Sequence, residues 1–335
     1  MVLSFPFSLG FGLLCLFGSL MSISSFHWLG IWLGLEINLM GFIPLLAQGG
    51  SGQAVESSVK YFIIQALGSG FILLGGFSLG DYTLFWGSGL INFNLSFFLL
   101  VGIMLKLGVA PLHWWVPSVM GGVSWVSCGV LATWQKLAPF FILISFSFLF
   151  GFLLVFFACI SSVVGGVGGI GQVQLRLLMA YSSVAHLGWM MGVLSCSVIG
   201  GMSYFLFYFF LSGLLFYFLA CGGFWRVNQI SLFMVVFIMI GFLSLGGLPP
   251  LSGFVPKWVG LHMIGESGLF FMMFFLILGS LFSLYYYLSV LFLLFIGGAT
   301  GYGHKKPLSY GFLVPFGFLV FCLGFPFYET VYFIF

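Results

Sequence analysis

Charge is what this sequence has least of. Its 335 residues are 62% hydrophobic and 4% charged, whereas a soluble domain needs about a quarter charged residues to face water. Eight basic and five acidic side chains cannot cover such a surface, so lipid is the expected solvent and the expected fold class is an all-α polytopic membrane protein. A net charge of +3 is too small and too scattered for a nucleic-acid partner. Paired cysteines are also lacking. Cys15, Cys128, Cys159, Cys196, Cys221 and Cys322 are isolated, with no CxxC pair and no histidine at ligand spacing. They read as small apolar packing residues, and neither a zinc nor an iron–sulfur site is expected. No basic segment precedes the first apolar stretch, which is expected to be a retained helix rather than a cleaved leader.

What is present is a succession of long apolar runs. A membrane crossing needs about 20 mainly apolar residues. The sequence offers about eleven such helices, at 2–21, 26–47, 55–79, 91–109, 123–147, 149–169, 173–195, 202–222, 229–264, 267–296 and 309–333. Connections are short, so residues 1–335 are expected to form a single transmembrane domain. Its halves would be about 2–147 and 149–296, followed by the helix at 309–333. Arg176, Arg226, Lys305 and Lys306 fall after an even number of crossings, and Asp81, Glu266 and Glu329 after an odd number. The bias of basic residues toward the inner side then places the N-terminus on that side and the C-terminus opposite.

Two of the runs cannot be unbroken helices. The ninth contains Gly246, Gly247, Pro249, Pro250 and Pro256, and the fourth continues through Pro111 and Pro117 to Gly121-Gly122. Proline removes a ladder hydrogen bond and clashes with the preceding turn, so both are expected to be discontinuous. The stretches align as Pro111-Leu112-His113-Trp114-Trp115-Val116-Pro117 on Pro250-Leu251-Ser252-Gly253-Phe254-Val255-Pro256. An odd number of helices separates them, which is the pattern of an inverted repeat with discontinuous helices at mid-membrane.

Ionisable groups at membrane depth are costly and are functional candidates by default. Glu36, Lys106, Lys136, His186 and Lys257 resist placement at a membrane edge, and His113 lies inside the first break. Burial favours a neutral amine and a neighbouring carboxylate restores the ammonium, so a Glu–Lys pair of variable separation can load and release a proton. We expect Glu36 to pair with Lys106, Lys136 to accept the proton, and His186 to relay toward Lys257. Plainer readings stand beside these. The lysines can snorkel to an interface on their apolar stems, His186 can be an interhelical hydrogen-bonding group, and His113 can merely line the gap. Lys60 and Glu56 read as an interfacial helix end, His27, His262 and His304 receive no role, and Tyr285-Tyr286-Tyr287 read as lipid-facing or packing residues.

Four segments carry a family resemblance. They are Lys106-Leu107-Gly108-Val109-Ala110-Pro111-Leu112-His113-Trp114-Trp115-Val116-Pro117, Thr133-Trp134-Gln135-Lys136-Leu137-Ala138-Pro139, Ala180-Tyr181-Ser182-Ser183-Val184-Ala185-His186-Leu187-Gly188-Trp189-Met190, and Gly246-Gly247-Leu248-Pro249-Pro250-Leu251-Ser252-Gly253-Phe254-Val255-Pro256-Lys257-Trp258. In this order and spacing the chain resembles the antiporter-like membrane subunits of mitochondrial NADH:ubiquinone oxidoreductase (complex I). The resemblance implies proton translocation across the inner mitochondrial membrane, coupled to NADH oxidation by ubiquinone elsewhere in the complex. It implies other membrane-arm subunits and lipids as partners, and no cofactor on this chain, flavin and iron–sulfur clusters being held by other subunits. It also implies the Glu36–Lys106 pair, central and exit roles for Lys136 and Lys257, and a less settled role for His186. Ser118 departs from the family, where an acidic residue is expected. A stand-alone cation/proton antiporter and a structural assembly subunit without transport remain as alternatives.

Overall fold

The computed structural model describes residues 7–78, 93–222 and 232–299. The expected helix at 309–333 lies outside them, as do Asp81, Arg226, His304, Lys305, Lys306, Cys322 and Glu329. Each of the other expected crossings coincides with helix. Among the described residues, eight helices are long and apolar enough to cross a membrane, and two stretches, Phe97–Leu107 and Val236–Gly246, are shorter apolar helices.

The chain divides into two compact units between Phe150 and Gly151. In the first, α1 (Phe7–Ser24), α2 (Trp28–Ala47) and α3 (Gly52–Ser78) precede α4 (Phe93–Leu107) and the short α5 (Trp115–Met120). α6 (Trp125–Ala132), α7 (Trp134–Phe146) and a 3-10 turn at Ser147–Phe150 complete it. Without a hydrophobic drive between helices in lipid, close packing depends on small residues. α1 and α2 follow that rule: a Cβ on Gly18 would lie 2.5 Å from the Asn38 backbone nitrogen, and one on Gly34 2.5 Å from that of Ser22. α6 and α7 together form one crossing, interrupted at Thr133 (φ −112°, ψ −73°). The Thr133 hydroxyl donates back to the Gly129 carbonyl over 2.7 Å.

The second unit contains α8 (Gly151–Gly168), α9 (Leu175–Cys196), α10 (Val198–Gly222), α11 (Leu232–Gly246), α12 (Phe254–Glu266) and α13 (Phe270–Ala299). α9 is its centre: nearly all of its side chains are buried, and it packs against α8, α10, α12 and α13. Among the consecutive tyrosines of α13, Tyr285 is 62% exposed while Tyr286 and Tyr287 are 1% exposed each. The run is therefore split by helical periodicity: Tyr286 covers Gly169, and Tyr287 packs against Phe242 with ring centres 5.5 Å apart and planes tilted by 34°.

Candidate proton-transfer site

Both expected breaks are present, and they share one local construction. α4 ends at Leu107, where the Gly108 N–H donates to the Leu105 carbonyl over 3.2 Å and the Val109 N–H to Met104 over 3.1 Å. α11 ends likewise, with Gly247 donating to Ser244 over 2.9 Å and Leu248 to Leu243 over 3.3 Å. This paired 5→2 and 6→1 pattern is a Schellman cap, which requires a left-handed residue after the helix. Gly108 (φ 75°) and Gly247 (φ 78°) supply it, a conformation other residues adopt only at a cost. In each break the X-Pro bond that opens the proline stretch, Ala110-Pro111 or Pro249-Pro250, is cis.

A break in the middle of a helix frees carbonyls that lipid cannot satisfy. At the first break, the Trp115 indole N–H donates to the Leu105 carbonyl over 3.0 Å, and the Gln65 amide from α3 donates to the Lys106 carbonyl over 3.4 Å. At the second, the Lys257 ammonium reaches back from α12 to the carbonyls of Leu245 (3.1 Å) and Gly246 (2.8 Å). Aligned on the proline stretches, Lys106 corresponds to Leu245 and Ser118 to Lys257. The lysines thus lie on opposite sides of equivalent breaks. Ser118, where a carboxylate was expected, donates locally to the Trp115 carbonyl over 2.9 Å.

All three central lysines are buried: Lys106 is 5% exposed, Lys136 3% and Lys257 7%. That burial removes the snorkelling alternative. Lys106 lies in the last turn of α4 and Lys136 in the first turn of α7, just after the interruption at Thr133. Glu36, half-buried on α2, is a neighbour of Lys106 but not in ion-pair contact with it. The expected Glu36–Lys106 pair is therefore a neighbour relation in this structure. His113 is buried within the first break beside Trp114, ring centres 5.0 Å apart. His186 is buried on α9; its Nδ1 lies 3.1 Å from the Tyr204 hydroxyl of α10, and its ring is 5.2 Å from that of Tyr208. An interhelical hydrogen bond is thus part of its role. Lys60 and Glu56 form an i,i+4 ion pair at 2.6 Å, with side chains 46% and 65% exposed, as an interfacial helix end would.

Sequence reading passed over the polar residues that connect these sites. Asn38 of α2 and Gln135 of α7 exchange two hydrogen bonds, from Asn38 Nδ2 to Gln135 Oε1 (2.9 Å) and from Gln135 Nε2 to Asn38 Oδ1 (3.0 Å). The Tyr61 hydroxyl of α3 donates to the same Gln135 Oε1 over 3.3 Å. A signal was available on α3: Ser57, Tyr61, Gln65 and Ser69 recur every fourth residue in an otherwise apolar helix, and all four are buried.

The chain that carries this arrangement is similar to known membrane proteins in sequence and fold. The family described as NADH:quinone oxidoreductase/Mrp antiporter, TM matches residues 25–283. The NADH-ubiquinone oxidoreductase chain 2 of Anopheles gambiae is 37% identical over 303 residues, covering 85% of each chain. That of Squalus acanthias is 37% identical over 284 residues, covering 82% of this chain and 81% of its own. A chain of respiratory complex I from Thermus thermophilus superposes with a TM-score of 0.83 at 26% identity, covering 95% of this chain and 78% of that one. The chain belongs to the NADH:quinone oxidoreductase/Mrp antiporter family of transmembrane proteins.

Proposed function

We propose that the chain is subunit 2 of mitochondrial NADH:ubiquinone oxidoreductase, and that it moves protons across the inner membrane while redox chemistry proceeds on other subunits. The observation that carries this reading is the burial of Lys106, Lys136 and Lys257, each beside an interruption of its helix. A cation at membrane depth is retained where it lines an ion path, and a discontinuous helix supplies backbone dipoles to such a path. Its relatives' membership of NADH-ubiquinone oxidoreductase supplies the redox partner reaction.

In the proposed cycle, Glu36 and Lys106 are the loading pair. Their separation in this structure is one setting of the pair, and closer approach strengthens the hold on the proton. A signal from neighbouring subunits would change that separation and pass the Lys106 proton to Lys136. In the second unit His186 would serve as relay and Lys257 as exit group, holding its proton against the Leu245 and Gly246 carbonyls. His113, inside the first break, would take part in proton handling there. The N-terminus would face the matrix and the C-terminus the intermembrane space.

The test is Lys106→Ala in the assembled complex, reconstituted into liposomes. Proton translocation and coupled NADH oxidation should fall by at least about tenfold with the complex intact, as for loss of a group that carries the transferred proton. Normal pumping by an intact Lys106→Ala complex would overturn the reading.

A further inference from the structure

The interruption at Thr133 creates a positioning problem that the Asn38–Gln135–Tyr61 network solves. An unbroken hydrogen-bond ladder fixes where each side chain on a helix points. At Thr133 the ladder is interrupted, one residue before α7 begins, and Lys136 lies in the turn that follows. The Thr133 N–H still donates to the Gly129 carbonyl (3.0 Å), but the Lys136 N–H turns to the Thr133 carbonyl three residues back (3.3 Å), so the helical register shifts in the turn that carries Lys136. Gln135, adjacent to Lys136, is tied by two hydrogen bonds of 2.9 and 3.0 Å to Asn38, two residues beyond Glu36 on α2. Its carbonyl also accepts from Tyr61, whose ring meets Trp115 edge-on with centres 5.7 Å apart. The Trp115 indole in turn holds the Leu105 carbonyl, next to Lys106. One buried set of contacts thus joins the backbone segments that carry Glu36, Lys106 and Lys136.

Two features suit this network to positioning rather than to carrying protons. A reciprocal amide pair uses a donor and an acceptor on each side chain, so its geometry is fixed in both directions. Neither amide titrates, so the tie persists whatever the charge on the lysines. Asn38 is 3% exposed and Gln135 9%, and breaking the pair would leave buried amide groups unpaired.

We propose that Asn38, Gln135 and Tyr61 are positioning residues that hold Lys136 at transfer distance from the Glu36–Lys106 site. The proposal rests on the proton-transfer reading above. Its test uses Asn38→Leu, Gln135→Leu, the double exchange Asn38→Gln with Gln135→Asn, and Lys136→Met, each in the intact complex in liposomes. The readouts are protons moved per NADH oxidised and the pH profile of coupled turnover, scaled to assembled complex. Each leucine variant should lower coupled translocation at least about fivefold and alter the pH profile, since small misplacements of reacting groups are costly. The exchange preserves the combined length of the amide bridge and should restore translocation to within about twofold of the parent. If the leucine variants do not assemble, the exchange variant decides alone: pumping supports the proposal, while failure to assemble or to pump overturns it. Leucine variants that pump normally overturn it as well. Lys136→Met separates the two levels. If it pumps normally the proton-transfer reading itself fails, whereas its loss beside intact leucine variants removes only the positioning role.

Discussion

Lys257 performs two tasks that substitution can separate. Its ammonium holds the carbonyls of Leu245 and Gly246 at 3.1 and 2.8 Å, and in the proposed cycle it also carries a proton. Lys257→Met keeps the apolar stem and removes the donor. A buried carbonyl left without a partner costs about 1–3 kcal/mol, and two are affected, while relief from burying an ammonium offsets part of the loss. The net effect on opening of the break should be about 2–3 kcal/mol, or about 30- to 150-fold faster amide exchange if opening is local. Lys257→Gln supplies a shorter, neutral N–H donor, so exchange there should rise only about fivefold, equivalent to about 1 kcal/mol. Hydrogen exchange read by mass spectrometry on peptides spanning 243–257 measures this in the intact complex, and proteoliposome pumping is measured on the same samples. Both variants should lose pumping, and only the methionine variant should loosen the break. Unchanged exchange in Lys257→Met would refute the capping role, and normal pumping in Lys257→Gln would refute the proton role.

Gly247→Ala attacks the same contact from the backbone. It forces a non-glycine residue to φ 78°, at about 1–2 kcal/mol, and its Cβ would lie 2.8 Å from Lys257 Cδ and 3.1 Å from Nζ. Coupled turnover should drop, and Gly247→Asn, which tolerates the left-handed backbone better, should assemble more completely on native gels while still pumping poorly. Lys60→Ala, at the exposed i,i+4 pair with Glu56, should leave both pumping and thermal stability of the complex unchanged.

Much of this was legible in the sequence because hydropathy and proline act locally. The crossings follow from apolar run length, and the breaks follow from Gly-Pro clusters that no helix accommodates. That Lys106, Lys136 and Lys257 lie within apolar runs was legible too, but their burial was not, since a lysine stem can snorkel and only the packing shows otherwise. The Glu36–Lys106 relation was less accessible: chain order brings the residues to one unit, but contact distance depends on helix packing that periodicity does not encode. The Asn38–Gln135 bridge spans 97 positions and has no local signature. Likewise, nothing in Tyr285-Tyr286-Tyr287 alone says which ring faces the core; packing of α13 against α8 and α11 decides it.

The two breaks differ in what fastens them, and that difference has a consequence for coupling. Trp115 and Gln65 secure the first with neutral donors, so its fastening does not itself carry a proton. The second is fastened by Lys257, and in the proposed cycle its neutral amine would keep two N–H donors but lose their charge assistance, so proton release would weaken the joint between α11 and α12 without undoing it. In the proposed cycle, the second break would therefore be the one whose fastening strength follows the proton.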